Sequence, residues 1–207
     1  IVLRGLPSVD EADAARYRAE ILLDELDMDP SRMAIGLSGG EIRRVSLAQA
    51  LIELAPAELS LKLLDVDLPL FNQDKESDPP ESVRQFKAAI QAADGVVFVT
   101  PEYNRSIPGV LKNALDQGSR PYGKSVWTGK PAGVLGASIG AYGSAMAQQH
   151  LRNVLAFLDM PTMAQPEGFF QIGDDFLDAD AQVNAASRKY VQRWINAYAE
   201  WMKKLAA

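Results

Sequence analysis

The chain alternates between two kinds of hydrophobic pattern. Apolar residues spaced three and four apart along residues 9–27 (Ala12, Ala15, Tyr17, Ile21, Leu22, Leu26) predict an amphipathic helix, which Asp29-Pro30 ends. Short apolar runs at 33–37, 59–64, 95–100 and 132–137 predict strands, and 161–165 predicts a short fifth one. Helical spacing fills the gaps at 41–54, 81–93, 110–117, 144–158 and 179–205. Strands alternating with helices imply a parallel, doubly wound α/β sheet. Five strands favour the flavodoxin-like order 2-1-3-4-5, whose ligand lies where strands 1 and 3 diverge. Residues 33–37 are then the central first strand, and the helix at 9–27 packs outside the sheet. Residues 1–30 form a helical extension and 31–207 the α/β domain.

The run Gly95-Val96-Val97-Phe98-Val99 stops at Thr100-Pro101, and a polar loop, Glu102-Tyr103-Asn104-Arg105-Ser106, precedes a new helix at Pro108-Gly109. Its backbone amides, the Asn104 amide and the Tyr103 ring suit a planar, heteroatom-rich ligand. The same residues also suit a plain connector. Ser38-Gly39-Gly40 opens a helix. Its amides, with Ser38 and Arg43 or Arg44, would meet a phosphate, although Glu41 competes there. A glycine turn before a capped helix is the other reading. Ser138-Ile139-Gly140-Ala141-Tyr142-Gly143 is a third polar loop at a strand end.

Composition narrows the chemistry. The net charge is −6, which disfavours nucleic acid and anionic membrane as partners. With no cysteine, thiolate zinc sites and cysteine nucleophiles are excluded, and one histidine cannot build a His-rich metal site. His150, in mid-helix and distant in sequence from the loops, reads as a structural or surface residue. Trp127 reads as exposed in its loop. Trp194, Tyr198 and Trp201 read as core or oligomer contacts. No apolar run spans a bilayer and no secretory signal appears, so a cytoplasmic protein is expected. The start at Ile1 suggests processing or truncation.

From about residue 47 onward, the chain resembles the NADPH-dependent FMN reductase family, especially its chromate and quinone reductase branch. The matching words are Leu47-Ala48-Gln49-Ala50-Leu51, Leu68-Pro69-Leu70-Phe71-Asn72, the loop from Thr100 to Pro108 with Leu111-Lys112-Asn113-Ala114-Leu115-Asp116, and Lys130-Pro131 with the loop at 138–143. The resemblance implies a flavodoxin-like fold, noncovalent FMN, NAD(P)H as cosubstrate, and a homodimer or tetramer. NAD(P)H would pass a hydride to the flavin, and the flavin would reduce a quinone, chromate or similar small acceptor. Pro101, Glu102, Tyr103, Asn104 and Ser106 would line the isoalloxazine, with Ser138 and Gly140 flanking it. No side chain is assigned as catalytic, and no metal is expected.

The first 46 residues depart from that family. Leu37-Ser38-Gly39-Gly40-Glu41 followed by Arg43-Arg44-Val45 resembles the signature motif of soluble ABC-type ATPases. The chain lacks a Gly-x-x-x-x-Gly-Lys-Ser/Thr loop, so ATP hydrolysis is not expected. The sequence therefore reads as a join, engineered or natural, near 46–51. The alternative to an enzyme is a folded chimeric scaffold with weak or no flavin binding.

Overall fold

A computed structural model describes residues 2–4, 39–173, 175–177 and 182–206; for 2–4 and 39–45 it describes the backbone alone. The elements are β1 (Val2–Arg4), α1 (Gly39–Glu53), β2 (Ser60–Lys62), a 3-10 turn (Gln73–Lys75), α2 (Glu81–Gln91), β3 (Gly95–Thr100), α3 (Gly109–Gly118), β4 (Ala132–Ser138), α4 (Ala145–Phe157), β5 (Gly168–Gln171) and α5 (Ala185–Ala206).

β3, β4 and β5 pair in parallel, with Thr100 opposite Gly136 and Ser138 opposite Gln171. Both faces of β3 and β4 are buried, so these strands read as continuous apolar runs. Alternate residues feed two cores. Val97, Leu135 and Ala137 pack with Leu47 and Leu51 of α1 and Trp194, Ile195 and Tyr198 of α5. Val96, Phe98 and Val134 pack with Phe86 and Ile90 of α2, Leu115 of α3 and Leu151 and Leu155 of α4. The sheet is thus the middle of three layers.

Several expectations are corrected. Beside β3, the place expected for 33–37 is taken by Val2–Arg4, which runs antiparallel to both β2 and β3. The sheet is therefore not wholly parallel. Residues 33–37 and the helix expected at 9–27 lie outside the described residues. The fifth strand is Gly168–Gln171 rather than 161–165. Pro161 and Pro166 lack amide protons, and only Thr162 makes a single bridge, to Ala132. The strand expected over 59–64 shrinks to Ser60–Lys62. The last helix begins at Ala185, after an Asn184 side chain that accepts from the Ser187 amide at 2.8 Å.

Trp127 is buried, not exposed. Its indole Nε1 donates to Leu115 O at 2.9 Å, and its ring meets Phe86 and Phe98 with centroids 6.0 Å away in each case. The polar sequence around it hid a side chain that folds back under α3. Trp194 and Tyr198 are core residues, stacked with centroids 5.6 Å apart.

Candidate functional site

β3 ends at Thr100, a buried residue, and the chain leaves the sheet at Pro101. Tyr103 and Ser106 then exchange both backbone hydrogen bonds, each at 2.9 Å. The two residues between them, Asn104 and Arg105, have φ of 51° and 65°. Two successive left-handed residues define the tight hairpin turn in which asparagine is favoured. The turn presents exposed Tyr103, Asn104 and Arg105 at the carboxyl end of β3. Among the described residues, the Asn104 side-chain amide makes no hydrogen bond.

Two side chains strap this hairpin to α4. Glu102 Oε2 accepts the amides of Met146 at 3.0 Å and Ala147 at 3.2 Å. Ser106 Oγ lies 2.7 Å from His150 Nδ1, one helical turn further along. Glu102 therefore supplies the N-terminal cap that Ser144 does not: Ser144 has φ of 73° and makes no side-chain cap bond. The exposed His150 is brought to the loop by the fold, across 44 positions of sequence. Sequence spacing concealed this residue; its place four positions after Met146 on the strapped helix is the signal that identifies it.

The loop after β4 lies beside the hairpin. Arg105 sits over the Tyr142 ring, 5.9 Å from its centroid. Gly140 N donates to Ser138 Oγ at 3.2 Å, and both Ile139 and Gly140 are exposed. Gly136 makes the approach possible: a Cβ there would lie 2.1 Å from Thr100 O and 2.5 Å from Ser144 Oγ. The structure thus brings Pro101, Glu102, Tyr103, Asn104 and Ser106 together with Ser138 and Gly140 at adjoining strand ends.

Gly39 and Gly40 open α1, so that helix begins two residues before the start expected from sequence. Ser38 and the side chains of Arg43 and Arg44 lie outside what is described. A separate groove of about 570 Å³ follows α2 and α3, lined among others by Pro69, Phe71, Pro80, Lys87 and Arg120. No residue of the hairpin or of the 138–143 loop lines it. Among the described residues there is no group of three or more histidine, aspartate or glutamate side chains that could hold a metal. None of the described helices is long and apolar enough to cross a membrane.

Comparison with known proteins gives this edge a context. Residues 39–175 match the family described as NADPH-dependent FMN reductase. The match includes Gly39, Gly40, Arg43 and Arg44, which by sequence wording resembled another family. A 2-hydroxy-1,4-benzoquinone reductase from Burkholderia sp is 49% identical over 177 residues, covering 83% of this chain and 97% of that protein. A quinone reductase from Pseudomonas putida is 45% identical over 170 residues, covering 79% and 91%. Among solved structures, the flavoenzyme NAD(P)H:(acceptor) oxidoreductase FerB from Paracoccus denitrificans aligns with a TM-score of 0.73 and 40% identity, over 78% of this chain and 90% of that one. The flavodoxin-like fold, the loop at the end of β3 and these relatives agree, and the chain belongs to the NADPH-dependent FMN reductase family.

Proposed function

We propose that the chain is an FMN-dependent NAD(P)H oxidoreductase whose acceptor is a quinone-type small molecule. The observation that carries this reading is the strapped hairpin, whose exposed Tyr103 and Asn104 stand at the end of β3 against the loop that ends β4. This edge fits a flavin ring. It offers an aromatic side chain, an amide with both donor and acceptor atoms, and the hydroxyls of Ser106 and Ser138. The absence of a side chain at Gly140 leaves the flank open, with nothing closer than Ser138 Oγ at 3.6 Å from a Cβ placed there. When bound, FMN supplies the two-electron chemistry that links NAD(P)H to the acceptor.

The chain's own residues bind and orient. Pro101 and Glu102 fix where the loop leaves the sheet; Tyr103, Asn104 and Ser106 hold the ring; Ser138 and Gly140 bound it. For the phosphate end we propose Ser38, Gly39 and Gly40, with Arg43 and Arg44, because a helix opening on two glycines presents amides without side chains in the way. Arg105, held over Tyr142, places a cation at the mouth, suited to an anionic acceptor or a cosubstrate phosphate. We further propose that 31–207 is the flavin domain and 1–30 an extension, and that the chain works as a homodimer or tetramer. Exposed Val110, Ile139 and Met146 near the mouth are consistent with burial against a second copy.

The test is the visible spectrum of the purified protein with titration of FMN followed by quenching of its fluorescence. The expected result is stoichiometric binding and NAD(P)H-dependent reduction of a benzoquinone. A colourless protein that leaves FMN fluorescence unchanged overturns the reading and favours an inactive scaffold.

A further inference from the structure

Among the hairpin's polar side chains, Ser106 has a titratable partner: its Oγ lies 2.7 Å from Nδ1 of His150, the chain's one histidine. A serine hydroxyl has one hydrogen and two lone pairs, so what it offers a ligand depends on what its neighbour takes. A protonated imidazole has hydrogens on both nitrogens. It must then donate from Nδ1 to Ser106 Oγ, which frees the Ser106 hydrogen for a ligand. A neutral ring with a bare Nδ1 accepts that hydrogen instead, and Ser106 then offers only lone pairs.

We infer that His150 is a positioning residue that switches Ser106 between hydrogen-bond donor and acceptor toward the ligand at the β3 edge. The inference rests on the flavin reading of that edge. The ligand class it selects is a planar compound with a carbonyl at its rim, a flavin or a quinone. Such a group is held better by Ser106 as a donor, on the acid side of the His150 titration.

The exposed ring can exchange its proton with water, and the surrounding charges are few. On the hairpin they are Glu102, which is occupied by the α4 amides, and Arg105, which is held at Tyr142. On α4 itself Arg152 is turned away, donating to Met163 O at 2.9 Å. The neighbouring α3 carries the Lys112–Asp116 ion pair at 2.8 Å. Tyr103 and Tyr142 are the phenols of the two loops.

A single histidine makes the test direct. Long-range proton–nitrogen spectra of the ¹⁵N-labelled protein contain one imidazole, whose Nδ1 and Nε2 shifts report its tautomer at each pH. The expected result is a bare Nδ1 above the titration midpoint, and a midpoint that moves in Ser106→Ala. A neutral ring that keeps its hydrogen on Nδ1 overturns the switch, because Ser106 then stays a donor at every pH. The second readout is the FMN dissociation constant across the same range for wild type, His150→Gln and Ser106→Ala. The cofactor phosphate titrates alike in all three, so ratios between them isolate the switch. Wild type is expected to gain about two- to tenfold over His150→Gln on the acid side, the factor one neutral hydrogen bond contributes. A ratio that does not vary with pH overturns the inference. Failure of FMN to bind at any pH overturns the flavin reading instead, while the nitrogen shifts still decide the Ser106–His150 coupling.

Discussion

Glu102 caps a helix that lies well beyond it in sequence, its Oε2 accepting from the amide of Met146, 44 residues on, at 3.0 Å. A carboxylate at this position satisfies two orphan amides and also opposes the positive end of the helix. Because Ser106 meets the same helix one turn later, α4 acts as the splint that holds the hairpin's shape. Glu102→Ala is expected to destabilise the protein by about 1 kcal/mol, the ordinary cost of a lost cap. In a domain of this size that lowers Tm by about 2–4 °C. FMN affinity should fall with it, whereas Glu102→Gln, which keeps an acceptor oxygen, should retain most of both. Thermal unfolding and flavin titration of the two variants check this. An alanine variant with unchanged Tm would refute the cap.

The turn role of Asn104 and its proposed binding role can be separated. Its φ of 51° favours asparagine or glycine, and its exposed amide is proposed to hold the ring. Asn104→Ala keeps neither property and costs about 1 kcal/mol of backbone strain besides the lost amide. Asn104→Gly keeps the turn and removes the amide alone. The glycine variant is therefore expected to bind FMN several-fold more weakly at nearly unchanged Tm. If it binds as tightly as wild type, the amide does not touch the ligand.

Asn113 on α3 ties down the segment 68–71 far from it in sequence. Its Nδ2 donates to Leu68 O at 3.0 Å and Pro69 O at 3.1 Å, and its Oδ1 accepts from Phe71 N at 2.9 Å. Gln117, one turn on, adds a bond to Pro69 O at 2.8 Å. Asn113→Ala strips three backbone groups of this partner, with an expected loss of about 1–3 kcal/mol. Urea unfolding measures it, and the Gln117→Ala variant should lose less because Pro69 O keeps Asn113. Equal losses would mean that the two amides do not share the segment as drawn.

The parallel half of this fold was legible from residues alone. Gly95–Thr100 and Ala132–Ser138 are apolar on both faces and stop at polar, glycine- or proline-bearing loops, a local signal that tertiary packing does not alter. The same local logic located the loops at 101–106 and 138–143. It failed where long-range contacts decide. Gly168-Phe169-Phe170-Gln171 is short and flanked by proline, and it becomes a strand only because β4 offers an edge. Trp127 looked exposed because its neighbours are polar, yet its place is set by the side-chain-free Gly118, where a Cβ would lie 2.5 Å from the indole nitrogen. His150 looked remote because linear distance says nothing about which face of a helix meets which loop.

Tyr198 gives the alkaline limit of the fold. Its hydroxyl is buried against the sheet and donates toward Pro131 O at 3.0 Å, with Val96 O at 3.3 Å. Burial pushes its ionisation far above that of an ordinary phenol. An exposed tyrosine in the unfolded chain releases its proton near pH 10. Above that pH the folded state therefore holds one proton more than the unfolded state, and stability falls as pH rises. The contribution is complete below pH 10 and is lost progressively above it. Lys203 adds to the same alkaline loss, since the bonds it donates to Glu58 and Glu200 hold its ammonium above the ordinary lysine range. The difference between wild type and Tyr198→Phe isolates the phenol. At neutral pH the phenylalanine variant should lose about 1 kcal/mol, the worth of the hydroxyl's hydrogen bonding. Above pH 10 its stability should fall less steeply than that of wild type, closing the gap between them. Urea midpoints between pH 8 and 11, with tyrosinate absorbance to follow ionisation, measure both. Parallel pH profiles for the two proteins would show that Tyr198 ionises in the folded state after all.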